Sequence, residues 1–352
     1  MSKQDKLYIA ATGMITPVGM NTDMTLASVK AGINVYQNSS FINKDQYRMK
    51  LAQVPDEAFV ELNENINAAA MSGQEKRMLC LASSAVSQVY ELFSPSKPIP
   101  LFLAAPESIP GKDIKVSEHF IENLQRQTGV AFDQANSVIV NEGRAAGLKA
   151  LDLIFNYMEN SESKYALLVG VDSYVDASLL SALDEENRVL TEVSTNGFAP
   201  GEAATAILLI HQRVLEKSPD AIAAVARPGV AEEKGHRYSQ EPMLGDGLAD
   251  AVRGAIDGSN NIKIDSIYSS FNGESFHSKE YGVAMMRNSA SLVEGYKHEH
   301  PADCFGDLGA AFAPTLMAIA ARTIEADNSD YASLVFCASE KSLRGAICLN
   351  KI

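Results

Sequence analysis

The stretch Asn196-Gly197-Phe198-Ala199-Pro200-Gly201-Glu202 leads without a break into Ala203-Ala204-Thr205-Ala206-Ile207-Leu208-Leu209-Ile210. Two glycines permit backbone torsions that other residues resist. The apolar, branched run that follows predicts a strand buried on both faces. A rigid turn against a buried strand can hold a side chain at a pocket wall, and Phe198 is the candidate.

Strand and helix patterns alternate on either side of this stretch. Residues 7–12 read as a strand that enters the Gly- and Pro-rich turn Gly13-Met14-Ile15-Thr16-Pro17-Val18-Gly19. A helix over 24–31 follows, capped by Asn21, Thr22 or Asp23 and ended by Gly32. Residues 33–73 look irregular and polar. Helices are predicted over 74–93, 116–127 and 144–158, and strands over 98–104, 137–140 and 165–171. Past Ile210 the pattern starts again, with strands over 221–226 and 262–270, helices over 245–256 and 308–324, and a closing strand pair over 331–337 and 346–349. Such alternation means an α/β fold.

The chain has 352 residues, 46% of them hydrophobic, enough for a large core and for roughly two domains. Net charge is −14, which argues against nucleic acid and against an anionic membrane surface. No apolar run is long enough to span a bilayer. The start, Met1-Ser2-Lys3-Gln4-Asp5-Lys6, reads as leading into a strand and not as a signal peptide. Cys80, Cys304, Cys337 and Cys348 show no metal spacing and read as reduced thiols of a cytoplasmic protein. His298-x-His300 reads as part of a polar loop, so neither a metal nor a cofactor is expected.

Gly-Phe-x-x-Gly-Glu-x-Ala at 197–204, and the opening order of strand, Thr12-Gly13, Thr16-Pro17-x-Gly19, helix and Ala31-Gly32, resemble the β-ketoacyl-acyl-carrier-protein synthases of the thiolase fold. The resemblance implies two similar α/β halves, here 1–215 and 216–352, in an α-β-α-β-α layering. It also implies a cysteine nucleophile at a strand-to-helix turn, where the helix N-terminus lowers the thiol pKa. Two histidines would polarise the developing enolate oxygen.

None of these three groups stands where the motifs place it. The motif Cys, small residue, Ser or Thr, Gly is matched to Val140-Asn141-Glu142-Gly143, with Val140 in the cysteine position and Asn141 and Glu142 as helix caps. Asn-Ala-His-Gly-Thr is matched to the end of the strand at Phe271-Asn272-Gly273-Glu274, with Asn272 for histidine. The second histidine, before Leu-Gly-Ala-Ala, falls on Gly306, or on Phe305 or Asp307 after a one-residue slip. Asp307 reads as an N-cap, Cys304 as a buried small hydrophobe and His277 as a surface histidine. Only Gly345 survives of the family's Gly-rich gating turn. Glu340, Lys341 and Arg344 suggest an exposed hairpin there.

Three functions follow. The first is a non-catalytic synthase-like protein acting by protein contact, as homodimer or as heterodimer with a related synthase, or as an adaptor for an acyl carrier protein or another client. The second is an acyltransferase or other acyl-thioester enzyme with altered chemistry at Glu142, Asn272 or Asp307. The third is an acyl-chain or carrier-protein binder without turnover, with Phe198 in its pocket.

Overall fold

A computed structural model of the protein describes residues 6–114, 116–194, 196–217, 221–326 and 330–352. Residues 1–5, which carry most of the start read above as free of a signal peptide, lie outside the described residues. The first strand is β1 (Leu7–Ile15), followed by α1 (Thr22–Lys30). Of the three cap candidates Asn21 is the one used: its Oδ1 accepts the Met24 N–H at 2.8 Å. The stretch expected to be irregular contains an antiparallel pair, β2 (Gln37–Ile42) and β3 (Arg48–Leu51). That pair buttresses the central turn, because the Ala52 N–H donates to the Pro200 carbonyl at 2.9 Å. Helix α2 (Gly73–Leu92) starts on Ser72, whose Oγ accepts the Glu75 N–H at 3.0 Å. Then come β4 (Leu101–Ala105), α3 (Phe120–Thr128), β5 (Val138–Asn141), α4 (Ala146–Glu159), β6 (Tyr165–Ser173), α5 (Ala177–Glu185) and β7 (Glu202–His211).

The second half runs β8 (Ala223–Val225), β9 (Gly229–Glu232), α6 (Asp246–Gly258), β10 (Ile264–Ser269), α7 (Ser275–Arg287), β11 (Leu292–Glu299), α8 (Ala302–Phe305), α9 (Phe312–Ala326), β12 (Ala332–Ala338) and β13 (Leu343–Asn350). Sequence reading predicts neither α5 nor α7. It also misreads His298-x-His300: His298 lies in β11, half-buried, its ring stacked 4.4 Å from that of Tyr281.

Pairing exposes the doubling. The first half orders its strands β5-β4-β6-β7-β1, and the second β11-β10-β12-β13-β8. Both paths begin with two parallel pairings and end with two antiparallel ones. β1 and β8 join the two along their edges. Helices α4 and α9 pack on each other and on strands of both halves, whereas α2 and α3 cover the first half and α6 and α7 the second. The result is the layered α-β-α-β-α core of the thiolase-like fold.

The layering explains the continuous apolar run of β7. Ile207 and Leu209 point into the middle core with α4 and α9, and Ala206, Leu208 and Ile210 into the outer core with α2 and α3. One glycine on each outer face lets a helix lie directly on its strand. A Cβ on Gly13 of β1 would collide with the Ala85 carbonyl oxygen of α2, and one on Gly229 of β9 with the Ala251 carbonyl oxygen of α6.

Candidate functional site

The site lies where β5, β10, β12 and the turn before β7 end together, above the N-terminus of α4. Val140 is a strand residue: its Cα partner in β4 is Ala104, and its side chain is buried in the middle core. It does not reach the strand-to-helix turn. That turn is Gly143–Ala145, a single 3-10 turn opening α4, and Arg144 occupies it, 1% exposed. Gly143 has φ +68° there, a torsion glycine adopts without strain.

Asn141 and Glu142 do not cap the helix through their side chains. Glu142 sits in the cap position of the turn, but its side chain caps no N–H there and pairs on the rim with Lys149. The orphan N–H of Ala145 donates instead to Ser339 Oγ of the β12–β13 hairpin at 3.0 Å. Of the three charged residues of that hairpin only Lys341 is exposed. Glu340 is 5% and Arg344 0% exposed, and the Arg344 guanidinium props the turn by donating to the carbonyls of Ser339, Lys341 and Leu343.

Asp307 is stitched onto the central turn. Its N–H donates to the Ala199 carbonyl at 2.8 Å, and its own carbonyl accepts the Gly201 N–H at 2.9 Å. Gly306 before it offers no side chain, so Asp307 is the residue that reaches inward. Its Oδ1 accepts the Gly309 N–H at 2.9 Å, in the turn leading into α9, whose cap position is Leu308 and not Asp307. Its carboxylate also receives Arg144 Nε, at 2.8 Å on Oδ2 and 3.1 Å on Oδ1. Asn272, just past β10, donates through Nδ2 to Asp307 Oδ2 at 2.7 Å and to Glu274 Oε2 at 3.1 Å.

A wider ion network closes over these groups. Glu340 Oε1 lies 2.7 Å from Arg144 Nη1 and 2.7 Å from Arg188 Nη2. Arg188 grips both oxygens of Glu274 at 2.8 Å, and Arg237 reaches Glu274 at 3.0 Å and Glu340 at 3.1 Å. The Phe198 ring, 1% exposed, lies 5.3 Å from the Arg188 guanidinium and 5.9 Å from that of Arg144, with Tyr174 edge-on at 5.5 Å. Cations over an aromatic face are held by its quadrupole, so Phe198 backs the ion cluster.

Two further carboxylates lie beside it. Glu107 accepts the N–H groups of Glu340 at 2.7 Å and Lys341 at 3.1 Å. Asp172 accepts those of Ser173 and Ala310, both at 2.8 Å. The three arginines face five carboxylates, so two negative charges lack a cationic partner. Burial pushes the Glu340 carboxyl up, but Arg144, Arg188 and Arg237 outweigh it and hold the group well below the usual carboxylate range. Burial, with Glu340 adding repulsion, raises Glu107 to about 7. Burial raises Asp172 to about 7 against the two N–H donors.

This arrangement is poor in reactive groups. Arginine does not transfer protons near neutrality. Cys337, below the cluster, is pushed by burial to about 12, and Cys304 is raised by burial and Asp303, so both are held as thiols. His277 is buried, not on the surface; neither ring nitrogen has a hydrogen-bond partner, and burial with Arg144 nearby depresses it to about 3. Between Glu107, Gly143, Arg144, Asp172, Tyr174 and Glu340 a cavity of about 20 Å³ remains, room for about one water. Among the described residues no three His, Cys, Asp or Glu side chains are grouped to hold a metal ion, and no helix is long and apolar enough to cross a membrane.

Of the residues singled out from sequence, Asn272, Asp307 and Phe198 come together, Glu142 stays on the rim, and Val140 and Gly306 contribute no side chain to the cluster. Arg144, Arg188, Arg237, Glu274, Glu340, Glu107 and Asp172 escape a motif search. One signal for Arg144 exists: Arg144-Ala145-Ala146-Gly147 is a second four-residue stretch ending in glycine, four positions after Val140-Asn141-Glu142-Gly143, and the one with small residues before the glycine.

No family model matches the chain, and no curated protein matches it in sequence. Solved structures match over its full length. The ishigamide ketosynthase/chain length factor superposes with a TM-score of 0.80 at 13% identity, covering 99% of this chain and 100% of the other. The ketosynthase ApeO in complex with its chain length factor ApeC, from Xenorhabdus doucetiae, gives 0.77 at 12% identity, covering 100% and 99%. The ketosynthase from module 6 of the bacillaene synthase of Bacillus subtilis 168 gives 0.78 at 12%, covering 99% and 72%. The chain shares the fold of these ketosynthases and chain length factors.

Proposed function

We propose that this protein is a non-catalytic member of the ketosynthase-like fold that works as the partner of another protein, in the manner of a chain length factor. In this reading its halves are 1–215 and 216–352. Arg144, rather than Val140, then stands in the nucleophile position, because Arg144-Ala145-Ala146-Gly147 fits Cys, small residue, x, Gly at the turn itself. Asn272 and Asp307 stand in the two histidine positions. The observation that carries the proposal is that these three side chains bond to one another: Arg144 to Asp307, and Asn272 to Asp307. Groups that a condensing enzyme would leave facing substrate are spent here on holding the interior together. An acyltransferase or an acyl-chain binder would need room beside Arg144, and about 20 Å³ counts against both.

Incubation of the protein with acyl- and malonyl-thioesters of carrier protein and of coenzyme A tests this. Intact-mass spectrometry should find no adduct, and chromatography no decarboxylated or released product. A stoichiometric acyl adduct or sustained decarboxylation would remove the proposal.

The partner surface we favour is the open edge of β5. This strand ends the sheet, and Val138 on it is 37% exposed. Unpaired edges invite pairing with another chain, and the solved neighbours include a ketosynthase in complex with its chain length factor. A net charge of −14 disfavours a broad face for an acidic carrier protein, so a chain of the same fold is the better match. The four buried free cysteines fit a reducing compartment such as the cytoplasm. Val138→Lys should shift sedimentation from dimer towards monomer, or abolish co-purification with the partner chain, while leaving the circular dichroism unchanged. A variant that assembles as the parent does would exclude β5.

A further inference from the structure

Strand β11, the last of its sheet, leaves its neighbour for part of its length. Ile264 of β10 pairs with Leu292 and Ser266 with Lys297, so Asp265 alone stands against residues 293–296. Gly295 turns in that bulge at φ +73°. On one face of β11, Tyr296 and His298 meet Tyr281 of α7. On the other, Val293, Gly295, Lys297 and Glu299 line a cavity of about 430 Å³, the alternation a strand imposes. Leu26 and Val29 of α1 and Ile319 of α9 line it too, and all three belong to the middle core or pack against it. The rim is charged with both signs. Lys30 at the end of α1, Lys297 and Glu299 are exposed, and Asp265 is half-buried, with the Ser266 hydroxyl donating to its Oδ1 at 2.9 Å.

We propose that this cavity binds an apolar dipeptide as its free zwitterion. The carboxylate sits on Lys297, with Lys30 across the rim, the ammonium sits on Glu299, and the two side chains lie on Leu26, Val29 and Ile319. Three features point to that class. Lys297 and Glu299 stand two residues apart on one strand face, about 7 Å, and two extended residues span about 7 Å. Carboxylates and ammonium groups share the rim, so a ligand of a single sign meets repulsion as well as attraction. The volume falls in the range of about 300–1,000 Å³ typical of small-molecule sites, and the wall is apolar with a few convergent polar groups. No residue of the ion cluster lines this cavity, so the site stands or falls apart from the reading of Arg144 and Asp307.

The test is calorimetric titration of the full-length protein with the dipeptide leucyl-phenylalanine. Binding should be saturable and one-to-one, with a Kd below about 1 mM. Acetylating the amine of the probe, or amidating its carboxylate, removes one charge and should weaken binding about tenfold. Glu299→Gln should weaken the free dipeptide by about as much and leave the acetylated probe unchanged. Lys297→Gln should do the same for the free and the amidated dipeptide. Both side chains are exposed, so neither change threatens the fold. Absence of saturable binding up to about 10 mM probe overturns the proposal. So does binding that neither the blocked ends nor the two substitutions weaken, which would place the dipeptide elsewhere on the protein.

Discussion

Arg144→Ala is expected to cost about 3–5 kcal/mol of folding stability, the range for leaving a buried charge without its partner. Arg144 is 1% exposed, is hydrogen-bonded to Asp307 through Nε and is ion-paired with Glu340 through Nη1. Alanine would strip Asp307 of its guanidinium and keep only the Asn272 amide and the Gly309 N–H as donors. Glu340 would keep Arg188 and Arg237, so the damage centres on Asp307. Lysine should recover only part of the loss, since an ammonium cannot reproduce the planar fork. The double change Arg144→Met with Asp307→Leu should be far milder than either single change, because apolar residues of similar volume can replace a buried ion pair at little cost. Urea denaturation of the set checks this. A loss below about 1 kcal/mol for Arg144→Ala would mean that the cluster is solvated and contributes little.

Gly13→Val is expected to be the most damaging change away from the cluster, about 3 kcal/mol or more. Its Cβ would meet the Ala85 carbonyl of α2 and lie 2.9 Å from Gln88 Cβ. Gln88 donates through Nε2 to the Met14 and Met20 carbonyls and accepts the Met14 N–H. Pushing α2 off β1 would break these bonds together with the outer core. Gly32→Val is the control: it has φ +65° but nothing within 4 Å of a Cβ, so it should cost only the backbone strain of about 1–2 kcal/mol. Thermal and urea melts of both variants separate a packing role for Gly13 from mere loss of a flexible residue.

The fold was legible because its signals are local. Thr12-Gly13, the 197–204 turn and the apolar run of β7 each announce a strand buried on both faces or a turn without room for a Cβ. The site was only half legible. Asn272 and Asp307 could be placed because each follows a strand end or precedes a helix start. Val140 was matched through Gly143, yet Gly147 ends an equally good run, and only the position of the helix turn favours Arg144. Glu340 and Arg344 misled because charged residues are usually exposed. Their partners, Arg144, Arg188 and Glu280, lie 64 or more residues away in sequence, and no local pattern reports such pairing. His277 hides in the same way, on a helix that carries no strong apolar stripe.

The same cluster has a historical consequence. A missing nucleophile is often pictured as one substitution away from return, but on the proposed reading, with Arg144 in that position, the neighbours have come to depend on the arginine. A cysteine placed at 144 would leave Asp307 without its guanidinium, in a chain weakened before any chemistry began, and no histidine would stand at 272 or 307. The path back runs through several poorly folded intermediates, so the ion cluster works as a ratchet. On that reading it holds the chain to roles served by surface and shape.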